Sequence, residues 1–405
     1  MSTVETAIPA GDLNESPSLG ELVARAESLQ GLLRDEAPAG DRDRAVSRRV
    51  IDAITSAGLY KILVPKRLGG YETNARTHFE VARTLGRGDL AAGWVVGVQN
   101  TAAWQLCLFG EQAQRDVWES NPEARVCAVA TNTSEAKLAD GGLIVSGRYP
   151  TASGSRQSEW AIVTAPDVRK EGAQNSEFSE VLIPMHDLTV EDTWFPAGVR
   201  GSSSNTLVAD EVFVPNHRIL DLEAVLNNET GDRPDEPLYR SSVAAMAALG
   251  IVGSQIGAAE AALEIVMAKS PGRRVQFTPI DDQSSDPLFQ ARVAEAAIRI
   301  EAASLLARQV ADETDAAALA GGFPSEERCA AARLSCAWAS QEAAVAVDAL
   351  MTEAGASAFM DGTPLQRIWR DVSTGHRNGL CRVDPARELY GRALLGKEIP
   401  EGTVF

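Results

Sequence analysis

The sequence predicts an α+β fold in three parts: helices, then strands, then helices. Three observations carry this. Apolar residues recur at helical spacing through the first third, where Leu22, Val23, Ala26, Leu29 and Leu33 are spaced by one, three and four. From residue 126 short β-like runs replace that period, and from about residue 240 the helical period returns. Apolar residues make up 44% of the chain but aromatics only 5%, so the core must be aliphatic and rich in Ala, as in closely packed helices.

The elements follow in order. Residues 1–16 read as an acidic tail containing Pro and Ser, without the basic start and apolar run of a signal peptide. An all-α domain is expected over 17–125. Its first helix carries Leu22 to Leu33. Asp41 is placed to cap a second, with Val50, Ile51 and Ile54 on one face to about Gly58. Ile62 to Pro65 lead into a Gly69-Gly70 turn, and two more helices take about Ala75–Leu85 and Leu90–Leu108.

A β domain is expected over 126–235. Val126 to Ala130 is its first strand, and Asp140-Gly141-Gly142 signals a hairpin turn. Leu143, Val145 and Tyr149 then alternate with polar or small residues. Further strands are expected at Trp160–Val163, Val181–Ile183 and Leu207–Val214, the last closed by Pro215.

Helices are expected again over 236–395, with a tail at 396–405. The uncharged stretch Ser241–Ala259 is long enough to span a membrane. Its Ala, Gly and Ser content, with Gln255 inside, suits the central buried helix of a bundle instead. Phe289, Val293, Ala297, Ile300, Ser304 and Ala307 step by four and three, with Glu295 and Arg299 as an i,i+4 pair on another face. The Ala-rich segment 326–354 and helices at about 364–379 and 384–395 complete the series.

Charge and motifs narrow the function. Lys and Arg total 38 against 56 Asp and Glu, for a net charge of −18. That balance argues against nucleic acid, whose binding needs a basic patch, and against an anionic membrane surface. Its five cysteines are odd in number and form no CxxC pair, as expected of reduced thiols in a cytoplasmic protein. The four histidines are far apart, and no metal-binding signature, HExxH, P-loop, GxSxG or GxGxxG is present.

Four segments stand out. Tyr149 to Ser155 (YPTASGS) and Gly198 to Asn205 (GVRGSSSN) are small and rich in hydroxyls. Such backbone can approach a flat polar heterocycle or a pyrophosphate, though ordinary turn chemistry also accounts for it. Arg273 and Arg274, in PGRRVQF, could clamp a phosphate, or simply be solvated. In QRIWRDVSTGHR, Arg370-Asp371 suggests a buried, paired charge, and His376 is either a base or a satisfied structural histidine.

Taken in order over about residues 20–395, these segments resemble the acyl-CoA dehydrogenase superfamily. More narrowly they are similar to its flavin-dependent monooxygenase branch, the oxygenase components of two-component aromatic hydroxylases. The carriers are AAGWVVG (91–97) with Trp104-Gln105-Leu106, SGRYPTASG (146–154), GVRGSSSN (198–205) followed by DEVFVPNHR, DPLFQ (286–290) and LQRIWRDV (365–372).

The resemblance implies an all-α N-terminal domain, a central β-barrel-like domain and a C-terminal four-helix bundle, assembled as a homotetramer. It implies reduced flavin, FADH2 or FMNH2 with FAD preferred, supplied by a separate reductase, and a small-molecule substrate. Oxygen would be transferred through a flavin C4a-hydroperoxide. Ser153 would stabilise it, with Gly154 beside the flavin edge. Thr131, Asn132, Thr133 and Ser134 would line one flavin face, and Arg200, Ser202 and Ser203 would border the site. Arg274, with Arg273, would reach a flavin phosphate across a subunit interface. Trp94, Asn100, Trp104, Ser204 and Asp371 would surround the substrate, with His376 as a base.

Departures from the pattern matter too. Phenol hydroxylases of the branch often carry a His before the Trp-Gln pair, where Ala102 and Ala103 stand here. Asn378 occupies the place of a second His. That pattern points to a substrate activated without a phenol base, such as an indole, a polycyclic compound or an amine. N-oxygenation of an amine or amino sugar, and acyl-CoA dehydrogenation, are the alternative activities.

Overall fold

The computed structural model describes residues 16–130, 133–169, 178–222, 225 and 236–399. Helix α1 (Leu19–Asp43) starts at a reciprocal cap between Ser18 and Glu21 and continues through Pro38. Asp41 therefore lies inside the first helix and does not cap the second. That cap is Ser47, whose side chain accepts from the Val50 N–H at the start of α2 (Arg48–Ser56). Asn74 and Asp89 cap α3 (Ala75–Gly86) and α4 (Leu90–Leu106) in the same way. A short helix, α5 (Glu111–Trp118), follows where no helical period was legible.

The central domain packs two four-stranded sheets. One has the order β1 (Val126–Val129), β4 (Trp160–Pro166), β5 (Phe178–Pro184), β8 (Ile219–Asp221), with β1 parallel to β4. The other has the order β2 (Ser134–Ala139), β3 (Gly142–Ala152), β7 (Asn205–Pro215), β6 (Thr189–Glu191). The hairpin turn forms at Gly141, which takes the left-handed φ that such a turn demands. Leu143, Val145 and Tyr149 from one sheet meet Val163, Val181 and Ile183 from the other in a dry core. Ile162 and Leu182 point the opposite way, into the core shared with the helices.

The C-terminal bundle comprises α6 (Val243–Lys269), α7 (Pro287–Leu319), α8 (Glu326–Ala354) and α10 (Val383–Leu394), with α9 (Pro364–Gly375) against α6 and α8. Helix α6 has the length and composition of a membrane span, but most of it is buried within the fold. Small residues make that burial possible. A Cβ on Gly97 of α4 would come within 2.7 Å of the Gly250 carbonyl oxygen of α6, so the two backbones touch. The aliphatic, aromatic-poor composition is thus used at helix crossings. All five cysteines are free and buried.

Candidate active site

Strand β3 ends in an irregularity. Its pairing with β7 slips between Tyr149 and Ala152, and Thr151 and Gly154 take φ of 67° and 79°. The loop leading into β7 is equally bent, with Val199 at φ 54° and Ser203 at 44°. Gly154 N–H donates to the Ser202 carbonyl (2.8 Å), and Ser155 Oγ donates to the Ser203 carbonyl (2.7 Å). These bonds lock together the two hydroxyl-rich segments, which lie about fifty residues apart in sequence.

The locking creates a directed chain of hydroxyls. Ser202 Oγ donates to the Val199 carbonyl (2.8 Å) and lies 2.7 Å from Ser204 Oγ, which lies 2.8 Å from Ser153 Oγ. A hydroxyl has one proton. With Ser202 giving its proton to that carbonyl, Ser204 donates to Ser202 and Ser153 to Ser204; with Ser202 turned to Ser204 instead, both bonds run the other way. Trp94 Nε1–H, from α4, supplies the remaining donor to Ser153 Oγ (3.3 Å). The Trp94 ring is nearly buried and lies against Gly375 of α9, next to Gln255 of α6.

Behind this chain stands Asp371, 3% exposed, whose Oδ1 accepts the Val199 N–H at 2.6 Å. Burial first, and Asp89 second, push its carboxyl up to about 7. Burial likewise raises Asp89, which caps α4 through the Ala92 N–H. The pairing expected within Arg370-Asp371 does not occur. Successive helical residues point apart, and Arg370 reaches Asp41 of α1 at 2.9 Å.

Trp94, Ser153, Gly154, Ser202, Ser204 and Asp371 are therefore brought together. Other expected residues are committed elsewhere. Arg200 donates to the Asp41 and Pro196 carbonyls, and Ser203 Oγ donates to Gln157. Asn100 donates to the Leu59 and Val96 carbonyls, and Trp104 to that of Leu238; both are core contacts. Thr133 and Ser134 bond the Arg148 and Thr164 carbonyls at the start of β2. Thr131 and Asn132 lie outside the described residues. Arg273 pins the loop to the Glu353 and Ala354 carbonyls, whereas Arg274 is 65% exposed, 3.5 Å from Asp281.

His376 closes α9. Burial, then Arg377, hold its pKa below the usual value. Arg can only donate, so His376 Nε2 accepts from Arg377 Nη1 (2.7 Å), which occupies the lone pair a base would use.

Two residues of the site escaped the sequence reading. Gln99, 1% exposed, gives its Nε2–H to Ser158 and lies over Gly154. Among the described residues its Oε1 has no partner, nor does Nε2 of Gln157. Glutamines carry no motif signal, so only the fold could single them out. A buried acceptor and a buried donor left open beside a bent, glycine-containing turn fit the edge of a flat polar heterocycle.

Family models described as Acyl-CoA dehydrogenase, N-terminal domain, and Acyl-CoA dehydrogenase, C-terminal domain, match residues 25–120 and 249–378. The oxygenase subunit HsaA of a flavin-dependent monooxygenase from Rhodococcus jostii is 31% identical over 94% of this chain and 100% of its own length. The chain belongs to the flavin-dependent monooxygenase branch of the acyl-CoA dehydrogenase superfamily. The oxygenase component of an FADH2-dependent resorcinol hydroxylase from Rhizobium is also 31% identical, covering 94% of this chain and 95% of that one. Among solved structures, XiaF from Streptomyces, in complex with FADH2 and glycerol, superposes with a TM-score of 0.89 at 28% identity, covering 94% of this chain and 97% of the other. As a family member the chain is an oxidoreductase that works with reduced flavin.

Proposed function

We propose that this chain is the oxygenase half of a two-component system and hydroxylates an electron-rich aromatic or heteroaromatic small molecule. One observation carries the reading: the hydroxyl chain from Val199 to Ser153, capped by Trp94, in a chain whose full-length relatives are oxygenases. Reduced flavin, when bound, supplies the two electrons that split O2 between product and water. Ser153, Gly154, Gln99 and Gln157 would hold its ring. Ser153 would present a proton at the ring edge, and the Trp94 wall would exclude water.

The substrate follows from what is missing. Ala102 and Ala103 are buried and bring no base, and His376 has its Nε2 engaged. The reading therefore favours a ring that needs no deprotonation, such as an indole or a fused polycycle. We assign the flavin from a separate reductase, a cytoplasmic setting and a homotetramer. Support for assembly comes from Leu288, Ile298, Leu305 and Leu319, exposed along α7, and from the fully exposed Phe277 close to Arg274. Among the described residues, Arg274 has no hold on the backbone and only an exposed ion pair with Asp281 to give up on reaching a flavin phosphate of a neighbouring subunit.

The test mixes the protein with reduced FAD or FMN and air in the presence of an aromatic panel, and measures product against free hydrogen peroxide. Hydroxylated product at the expense of peroxide is expected. Reduction of bound oxidised flavin by an acyl-CoA, with no hydroxylation, would overturn the reading.

A further inference from the structure

We propose that Asp371 is a positioning residue for Ser153: by holding the Val199 N–H, it fixes the turn that delivers the Ser202 and Ser204 hydroxyls to Ser153. The inference rests on the flavin role of Ser153 given above.

Val199 is a β-branched residue in the left-handed region, a strained conformation that persists only where its surroundings enforce it. Two contacts enforce it. Asp371 Oδ1 takes the Val199 N–H at 2.6 Å. The preceding Gly198 lies directly on α9, where a Cβ would come within 2.0 Å of the Arg370 carbonyl oxygen. The β-domain loop is thus clamped to the backbone of the C-terminal helices at the residue where the hydroxyl chain begins.

The Val199 carbonyl is the fixed end of that chain. It accepts Ser202 Oγ–H at 2.8 Å, Trp194 Nε1–H at 3.1 Å and the Ser202 backbone N–H at 3.1 Å. The two N–H donors allow the chain to reverse. With Ser202 Oγ turned to Ser204 and Ser204 turned to Ser153, the carbonyl keeps both N–H donors, and Ser153 is free to donate outward. Trp94 Nε1–H occupies an acceptor position of Ser153 in either direction. Reversal gives up the Ser202 Oγ–H bond to the carbonyl and offers at Ser153 a proton that the other direction directs to Ser204. Displacement of Val199 would break the register of all three hydroxyls.

The clamp has a charge environment of its own. Burial first, then Asp89 at the start of α4 and Asp41 on α1, raise the Asp371 carboxyl, and the Val199 N–H and Arg367 on its own helix oppose them. Arg370 is engaged with Asp41, as is Arg200 of the loop. Ionisation of Asp371 strengthens its hold on the Val199 N–H. Coupling of flavin oxidation to product should therefore rise with pH as Asp371 ionises.

The test uses the full chain and two readouts. The first is amide hydrogen exchange over residues 198–204 without flavin, so it does not depend on the functional reading. In Asp371→Ala exchange there should rise about tenfold or more, the loss of one charge-assisted bond, with β3 unchanged. Asp371→Asn keeps an acceptor and should stay within about threefold of wild type. The second readout is product formed per reduced flavin consumed. It should fall about tenfold in Asp371→Ala and in Ser202→Ala, while flavin affinity changes little. In Asp371→Asn its pH step should vanish.

Native exchange in Asp371→Ala would overturn the clamp. Faster exchange with native coupling would overturn the link to Ser153. If Asp371→Ala does not fold, a wild-type pH step surviving in Asp371→Asn would overturn the proposal. If wild type itself couples no reduced flavin to product, the functional reading fails, and the exchange result still decides the clamp.

Discussion

Two buried carboxylates in this molecule have opposite surroundings. Glu80, on α3, is 6% exposed and is contacted by Arg76, Arg83 and Arg308 from two helices. Burial works to raise its pKa, but Arg308 and Arg83 outweigh it and hold the carboxyl below its usual value. Asp371 is equally buried, yet its hydrogen bond comes from one backbone N–H and its nearest charges include Asp89 and Asp41. Glu80 is a hub, charged at neutral pH, that joins α3 to the bundle. Asp371 sits between charged and neutral, beside the serine chain, where a change in one group is transmitted to Ser153. Burial by itself therefore does not separate structural acids from functional ones; the partners do.

The contrast can be broken in four ways. Replacing Glu80 with Ala leaves three guanidinium groups around a hole and should cost about 3 kcal/mol in denaturant-induced unfolding, discounted for the partial exposure of the arginines. A loss below about 1 kcal/mol would make the hub dispensable.

Ser153→Ala should leave folding intact and lower product per reduced flavin by about tenfold or more, with peroxide released instead. Unchanged coupling would remove Ser153 from the chemistry.

The third test concerns pH. Asp371 has its folded pKa raised to about 7. Its contribution to stability is complete below the unfolded-state value, in the ordinary aspartate range, and is lost as pH rises through about 7. Thermal melting of wild type minus that of Asp371→Asn should fall across that window. A flat difference would mean that burial and the neighbouring acids do not raise the Asp371 carboxyl. Glu80, held low, has the opposite sign: its contribution is present at neutral pH and lost as the medium turns acid.

The smallest effect is expected for Trp94→Phe. It keeps a ring against Gly375 and removes the N–H donor to Ser153, so stability should change by about 1 kcal/mol or less while coupling falls a few-fold. A larger stability loss would make Trp94 mainly a packing residue.

Much of the fold was legible because periodicity is local. The order helix, strand, helix, the Gly141 hairpin and the buried α6 follow from spacing and composition. Asp41 misled because an acidic residue that caps one helix equally well lies inside another; Pro38 beside it did not end α1, and Ser47 took the cap. Part of the site was legible for a different reason. The segments holding Ser153 and Ser202 to Ser204 are unusual in composition, so resemblance could locate them without geometry. Asn100 and Trp104 sit on the right helix, but their hydrogen bonds go to the core, and helix membership alone does not show that.

The sequence by itself determined the three-part order, the family and the two hydroxyl-rich segments, since each is encoded in neighbouring residues. Tertiary structure alone decided which groups meet. Ser153 finds Ser204 across 51 residues, Val199 finds Asp371 across 172, and Arg370 finds Asp41 across 329. A hydrogen bond has a reach of about 3 Å and a direction, and neither is written in spacing along the chain.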